Sequence, residues 1–479
     1  MLLSFLAMSS ILLRDPVGQD GSVFPGDGAA AVGSEHVHDP TLLEIGGKYF
    51  IFQTSGDGFT MVRSSKDLKT WKAEGPILSS QPEWLQKRYR HRSVWAPDVI
   101  VVPSGTGAFS ENPHPSLSLG ERVIKLRMYY SVSEWGQNKS VIGLAECDKF
   151  DPERPLEGWV DRGLVLESRP GVDRFNAIDA ETIIDEEGRH WMYFGSYWSG
   201  IHVVELDPGT GMIKSGAGPS LPNPSLPSGE KGAPVLVAAN PAERGNPLEG
   251  AAVVRRDGFY YLFVSYGLAA QGVRSSYRIM AGRSKSPTGP FLDREGKSMA
   301  EGGHVSVLKG SPPMFAPGHC DVLRLRDGRY VMPYHFYDGR KHWVKDTWGM
   351  PTLQIRELLW SQEGWPLPGL PLEMGISSGQ GPREAKRPRA VLTPKGTFLH
   401  QADFGEPRFV EFREGGVLRS GSTQGSWKVD GEEVVLSWPR EEDPKRPWVD
   451  RVQLAYGGRY YVGRTAAGLV VRGFRAGAK

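Results

Sequence analysis

Residues 248–265 read LEGAAVVRRDGFYYLFVS, and residues 177–196 read AIDAETIIDEEGRHWMYFGS. Each stretch holds an acidic residue, a short apolar run, a charged turn closed by glycine, and a second run rich in aromatic side chains. Runs of this length parted by an acidic–glycine turn predict two antiparallel strands joined by a tight hairpin. The plan occurs three more times, in HDPTLLEIGGKYFIFQTS (38–55), in WAPDVIVV with LRMYYSVS (95–102 and 126–133), and in GHCDVLRLRDGRYVMPYHF (318–336). The polar residues that open the five copies are Asp39, Asp98, Asp179, Glu249 and His319. Asp179, Glu249 and His319 are spaced by 70 residues, and Asp39 precedes Asp179 by 140. Gly188, Gly258 and Gly328 each follow their polar residue by nine positions, and Gly47 follows Asp39 by eight.

A third strand follows each copy, in FTMVRSSKDLKTW, SVIGLAECDKF, GIHVVELDPGTG, YRIMAGRSKSPTGPF and LQIRELLWSQEGW. Repeats of about 70 residues with three or four strands each predict an all-β chain, a five-bladed β-propeller. In that architecture the first strand of each blade lines the central axis. The five opening residues are therefore expected to converge although they lie far apart in the chain.

The remaining sequence divides around this unit. Residues 1–30 are expected to be a leader, because Leu2 to Leu13 form an apolar run ended by Arg14, too short to span a bilayer and similar to a secretion signal. The propeller is expected over residues 31–366. Residues 367–390, rich in Pro, Gly and Arg, read as a linker, and the basic run from Arg383 to Arg389 reads as its solvated part. Residues 391–479 carry short alternating strands such as GSWKVDG, EEVVLSW and RYYVGR, which predict a small C-terminal β-barrel. The Ser-, Pro- and Gly-rich stretch from Ser104 to Arg122 reads as a loop inserted at the hairpin tip of the second blade.

Composition removes several classes of function. The 57 basic and 55 acidic residues leave a net charge of +2, which gives no field for nucleic acid or an anionic membrane. Two cysteines, Cys147 and Cys320, offer neither a disulfide framework nor a CxxC metal motif.

Three carboxylates at one end of an axis suit hydrolysis of a glycosidic bond, which needs an acid on the leaving oxygen and a second carboxylate to attack or to activate water. Asp39 lies in the polar stretch GSEHVHD beside His38, where it stays ionised and suits a base. Glu249 lies among small and apolar residues in PLEGAAVV. Desolvation there raises its proton affinity, as a general acid requires. Asp179, in NAIDAET, is placed to hold Glu249 and adjust it. Trp95, Trp135, Tyr197 and Trp198 are candidate stacking surfaces for sugar rings, and Asn176 and Ser196 candidate partners for sugar hydroxyls. His319 shares the register of the acids. It is a candidate ligand for a metal bound mostly through water, since no second His stands at the spacing of a closed zinc site.

With HDPTLL, WAPDV, MYYSVSEWG, NAIDAE, WMYFGSYWSGIH, LEGAAVV, YRIMAGRSKSPTGPF and PGHCDVL in order, the region from Val37 to Trp365 resembles glycoside hydrolase family 43, and within it the endo-1,5-α-L-arabinanases. The resemblance implies a five-bladed propeller and an inverting mechanism. It implies Asp39 as general base, Glu249 as general acid and Asp179 as the residue that tunes the acid. It also implies substrate contacts at His38, Trp95, Gly136, Asn176, Ala177, Ile178, Ser196, Tyr197 and Trp198, and a calcium site at His319. The implied partner is arabinan or arabino-oligosaccharides, bound outside the cell or in the periplasm by a monomer. An exo-acting α-L-arabinofuranosidase or β-xylosidase of the same family is the nearest alternative. A carbohydrate-binding propeller without catalysis would lack one of the acids. In two places the chain departs from the family's pattern: YGLAAQG follows the LFVS strand, where relatives often carry Phe-Asp and paired Cys, and the Ser104–Arg122 insertion has no counterpart.

Overall fold

The computed structural model describes residues 23–55, 59–78, 80–89, 93–102, 124–214, 234–341, 349–375, 393–440, 442–443 and 445–477. Most of the expected leader, the Ser104–Arg122 insertion and residues 376–390 of the expected linker lie outside them. Five antiparallel sheets account for the first part of the chain. The first blade is β1 (Thr41–Ile45), β2 (Lys48–Gln53), β3 (Met61–Ser65) and β4 (Lys72–Pro76). The second is β5 (Trp95–Val102), β6 (Lys125–Ser133), β7 (Ser140–Cys147) and β8 (Trp159–Ser168). The third is β9 (Glu181–Ile184), β10 (His190–Phe194), β11 (Ile201–Leu206) and β12 (Val235–Ala238). The fourth is β13 (Leu248–Arg256), β14 (Phe259–Tyr266), β15 (Arg278–Ser284) and β16 (Val305–Leu308). In the fifth, the inner strand is split into β17 (Met314–Gly318) and β18 (Leu323–Arg324), and both pair with β19 (Tyr330–Asp338), which leads to β20 (Pro351–Trp360) and β21 (Pro366–Pro371).

The repeated glycines close the inner hairpins. Ile45 pairs with Lys48 across Gly46 and Gly47, at φ 62° and 79°. Arg256 pairs with Phe259 across Asp257 and Gly258, at 49° and 70°. Two successive left-handed residues make the turn whose twist matches the strands it joins. The strands between are buried on both faces because blades stack face to face. Separate apolar clusters fill the gaps between blades one and two, two and three, three and four, four and five, and five and one.

Two boundaries move from where the sequence placed them. Residues 367–371, expected as linker, form the outer strand β21, because PLPGLP pairs with Arg356 to Trp360 before the chain leaves the blade. Part of the expected leader is structural: Phe24 is buried against the fifth blade, and buried Asp27 pairs with Arg356 and Arg472. The last eight strands, from β22 (Gly396–Ala402) to β29 (Val470–Arg475), form a closed barrel. The barrel shares a core with blades four and five, through Leu399, Tyr456, Tyr460 and Phe474 packed among Val307, Leu359 and Leu370.

Candidate active site

The axial ends of the inner strands carry five residues with left-handed backbone, one per blade: Asp39 (φ 51°), Ala96 (39°), Asp179 (58°), Gly250 (60°) and His319 (46°). Four of the five are not glycine, and strained backbone of this kind concentrates at functional sites. The blade before holds each in place. Asp39 N–H donates to His335 Nδ1 at 3.3 Å, Ala96 N–H to Thr54 Oγ1 at 2.8 Å, Asp179 N–H to Ser131 Oγ at 3.0 Å and His319 N–H to Ser265 Oγ at 2.7 Å. The backbone N–H of Gly250 serves the Asp179 carboxyl.

This ring corrects the expected register at two positions. The residue of the second blade that matches Asp39, Asp179 and His319 is Ala96, and Asp98 stands two residues further along β5. Side chains two apart share a face, so Asp98 still points at the axis but one layer deeper. There it accepts from the Thr182 hydroxyl and lies with Glu181 and Asp321. Glu249 precedes its ring position by one residue, at a bulge that interrupts the pairing of β13 with β14.

The three carboxyls of the upper layer differ in environment. Asp39 Oδ1 lies 2.6 Å from His38 Nδ1 and 2.9 Å from His319 Nδ1, and Oδ2 accepts from Thr54 Oγ1 at 2.5 Å. Burial alone would raise its pKa, but the charges of His319 and His38 outweigh burial and hold it well below the usual carboxylate range. Glu249 is raised by burial, partly offset by hydrogen bonds from Ser196 Oγ at 2.6 Å and from the Tyr277 hydroxyl. Asp179 is raised well above the usual range, by burial and by the nearby Glu249 and Asp39 charges, with His319 opposing. Burial works against a charged His319, yet Asp39, Asp179 and Glu249 bring it up to about 9. At neutral pH the site therefore holds one ionised carboxylate beside an imidazolium, and two carboxyls that retain protons more strongly than usual.

The expected substrate contacts fall into two groups. Trp198 is 39% exposed and Trp135 64%, and Trp95 meets Trp135 edge to face at 6.3 Å. With Gly136, which has open space around it, they give the mouth an aromatic rim. Tyr197 donates to the Gly267 carbonyl at 3.2 Å, and Ser196 is committed to Glu249. Asn176, Ala177 and Ile178 are buried, and Asn176 Oδ1 accepts from Ser140 at 2.6 Å.

Four groups went unread in the sequence: His335, Tyr277, Thr54 and Tyr337. His335 stacks on His38 with ring centres 3.8 Å apart, and burial keeps it neutral, well below its ordinary pKa. Its Nδ1 accepts from Asp39 N–H, so it orients Asp39 without competing for its charge. Tyr337 meets His38 Nε2 at 3.3 Å. A signal existed, since QTS, YSVS, FVS and YHF end the second strand of four blades and supply the groups that hold the ring. Among the described residues, His38, Asp39 and His335 have ligand atoms within 4.8 Å of one another and could share a cation. Two nitrogens and one carboxylate suit a transition metal more than calcium, which prefers oxygen. His319 stands outside that trio, with Nδ1 turned to Asp39.

A propeller mouth that sets an ionised carboxylate across from proton-holding ones, under an aromatic rim, is the site of a glycoside hydrolase. The chain belongs to the glycosyl hydrolases family 43, whose profile matches residues 30–366. It is 34% identical over 340 residues to an extracellular endo-α-(1→5)-L-arabinanase of Bacillus subtilis, covering 70% of this chain and 88% of that protein. It is 31% identical over 336 residues to an extracellular exo-α-(1→5)-L-arabinofuranosidase of Cellvibrio japonicus, covering 69% and 85%. Among solved structures, an endo-arabinanase of Bacillus licheniformis aligns with TM-score 0.56 at 32% identity, over 71% of this chain and 99% of that one. An arabinanase of Thermotoga petrophila aligns over 94% and 100% with TM-score 0.67 at 21% identity, and so shares the fold of propeller and barrel together.

Proposed function

We propose that this protein is an inverting endo-1,5-α-L-arabinanase in which Asp39 is the general base, Glu249 the general acid and Asp179 the residue that tunes the acid. The observation that carries the reading is the split in proton affinity across the axis, with Asp39 held low and Glu249 held high. Glu249 gives its proton to the leaving glycosidic oxygen as the bond to the anomeric carbon breaks. Asp39 takes a proton from the water that attacks the same carbon from the opposite face. Glu249 then carries the negative charge, and the Ser196 and Tyr277 hydroxyls already donate to it. Asp39 becomes the protonated member, and exchange with solvent restores both groups. The carboxyl separation that allows a water between acid and base is about 6.5–9.5 Å. In this inverting reading the product is the anomer opposite to that of the bond cut, and a separation of Asp39 and Glu249 of about 5–5.5 Å would instead mean retention.

Relatives named as extracellular support a location outside the cell, and a monomer suffices for the site described. The substrate reading rests on those relatives and on the exposed Trp135 and Trp198, flat apolar faces on which furanose rings stack. Exo action is the second reading, favoured by the Cellvibrio relative and by an exo-1,5-α-L-arabinanase from a bovine ruminal metagenomic library, 30% identical with TM-score 0.57. Products from linear arabinan decide between them. Endo action releases mixed oligosaccharides with an early fall in viscosity. Arabinose or a single short product from the outset would establish the exo reading. The Glu249→Ala variant is expected to lose about 10²–10⁴ in turnover while still binding oligosaccharide.

Calcium is proposed at His319, mostly through water. A hard cation there would take the place of the proton that His319 otherwise carries, with the neutral imidazole and Asp39 beside it and Asp179 and Glu249 releasing protons to it. A bound cation would supply charge compensation among the carboxyls. Dialysis against a chelator is expected to lower both melting temperature and activity, with calcium restoring both. A chelated protein unchanged in both measures would exclude the site.

A further inference from the structure

One loop touches both sides of the site. Residues 267–276 join β14 to β15 and close on themselves. Ser276 N–H donates to the Leu268 carbonyl at 2.8 Å, Leu268 N–H to Ser276 Oγ at 3.0 Å and Gln271 N–H to Ser275 Oγ at 2.9 Å. Tyr277, the next residue, donates its hydroxyl to Glu249. On the other side Ala270, left-handed at φ 57° although not glycine, aims its N–H at the Tyr337 hydroxyl, 2.8 Å away. Tyr337 stands on β19, and its hydroxyl also lies 3.3 Å from His38 Nε2. The other ring nitrogen, His38 Nδ1, lies 2.6 Å from Asp39 Oδ1. A line of contacts thus runs from the loop to Asp39.

Counting donors and acceptors along this line gives the place of each hydrogen. A phenol has one hydrogen and two acceptor lone pairs. The Ala270 amide takes one lone pair, and the Ser275 hydroxyl bears on the same oxygen as a second donor. The phenol hydrogen is left for His38 Nε2, which accepts it. A neutral imidazole that accepts at one nitrogen carries its own hydrogen on the other. That hydrogen is on Nδ1, against the Asp39 carboxylate. The reverse tautomer would set the Nδ1 lone pair against Asp39 Oδ1 and bring three donors to one phenol oxygen. His335, stacked on the ring at 3.8 Å, fixes its plane but leaves the tautomer open.

We propose that Tyr337 is a positioning residue for the hydrolysis: it holds neutral His38 in the Nδ1–H form, and His38 in turn holds the Asp39 carboxylate in place for the attacking water. The inference rests on the reading of Asp39 as general base. It gives the 267–276 loop a task at both carboxyls, through Tyr277 at Glu249 and through Tyr337 and His38 at Asp39. A segment in which the chain departs from the family's pattern thereby sets the alignment of acid and base.

Long-range proton–nitrogen correlation spectra of the histidine-labelled full chain at alkaline pH read the tautomer directly, with the His38 signals assigned by their loss in His38→Asn. Wild-type His38 is expected to carry its hydrogen on Nδ1 alone, and Tyr337→Phe to turn the ring into a mixture of both forms. Tyr337→Phe is also expected to lower kcat about tenfold, the worth of one hydrogen bond, with KM nearly unchanged. In a His38→Asn background, whose side-chain N–H can face Asp39 without a ring to orient, Tyr337→Phe is expected to cost nothing further. A hydrogen on Nε2 in the wild type, wild-type kcat in Tyr337→Phe, or an equal loss in both backgrounds would overturn the proposal. Asp39→Ala separates that failure from failure of the base reading. An inactive Asp39→Ala beside any of those three results leaves Asp39 as base and removes only the role of Tyr337. An active Asp39→Ala removes the base reading, and the positioning role with it.

Discussion

At the scale of single residues, the site separates two carboxyls by what surrounds them. Asp39 is enclosed as fully as Asp179, yet it has both His38 and His319 against it, where Asp179 has His319 opposed by Glu249 and Asp39. Tyr277 bears on the acid. Its hydroxyl favours ionised Glu249, so Tyr277→Phe is expected to raise the Glu249 pKa further. In the proposed mechanism activity needs Asp39 ionised and Glu249 protonated, so the alkaline limb of the kcat/KM profile is expected to report Glu249 and to move to higher pH in the variant. The acid limb, set by Asp39, should stay where it is. Turnover is also expected to fall, because the anion formed on Glu249 loses a donor. A pH profile with an unmoved alkaline limb would show that Tyr277 acts only through packing. The three candidate carboxyls were readable from the sequence because they stand at, or one residue before, the start of repeats of equal length. Tyr277 was not, because it follows the 268–276 loop and nothing in the repeat points to it.

At the scale of elements, the inner strands carry two stacked layers, chemical above and structural below. In the lower layer four of the five blades are joined to the next by a hydrogen bond. Thr41 Oγ1 donates to the Pro97 carbonyl at 2.6 Å, and Asp98 accepts from Thr182. Glu181 accepts from Val253 N–H at 2.8 Å, and Asp321 from Leu42 N–H at 2.7 Å. Burial, with Asp321 nearby, raises Asp98 to about 7, and Glu181 is raised well above its usual range. A carboxyl whose pKa rises on folding favours the folded state at low pH. That contribution is lost as pH climbs from the ordinary value of 3.8 towards about 7. Asp98→Asn keeps an acceptor for Thr182 and removes the titration. The variant is expected to show a shallower fall in melting temperature between pH 5 and 8 than the parent. Parallel curves would mean that Asp98 is ionised throughout. The sequence placed Asp98 in the upper ring because WAPDV offers only one polar residue to count from. The position that matches is an alanine, and its left-handed backbone leaves no mark on the composition. The hairpins, by contrast, were legible because their turns require glycine at fixed offsets.

At the scale of the whole molecule, the barrel and the N-terminal segment belong to the same body as the propeller. Asp27 accepts from Arg356 of the fifth blade at 2.7 Å and from Arg472 of the barrel at 3.0 Å, and all three are buried. Phe24 and Phe404 cover the Arg472 guanidinium at 4.0 and 4.6 Å. One carboxylate thus bridges two guanidiniums contributed by two units, inside a shared apolar cluster. Such a link was illegible in the sequence. Asp27 stands alone in a Gly-rich stretch, and its partners lie over 300 residues away, at Arg356 and Arg472. Asp27→Asn leaves both guanidiniums buried with no negative charge, and breaking a buried pair in this way costs about 3–5 kcal/mol. Calorimetry of the parent is expected to show one cooperative transition, since neither unit can shed the other without exposing Leu359, Leu370, Tyr460 and Phe474 to water. The variant is expected to melt at lower temperature, with barrel and propeller beginning to separate into two transitions. Two well-resolved transitions in the parent, or a variant as stable as the parent, would show that the triad only fills space at the junction. The same coupling predicts that a chain ending before Gly396 fails to accumulate as folded protein, although every catalytic residue remains in it.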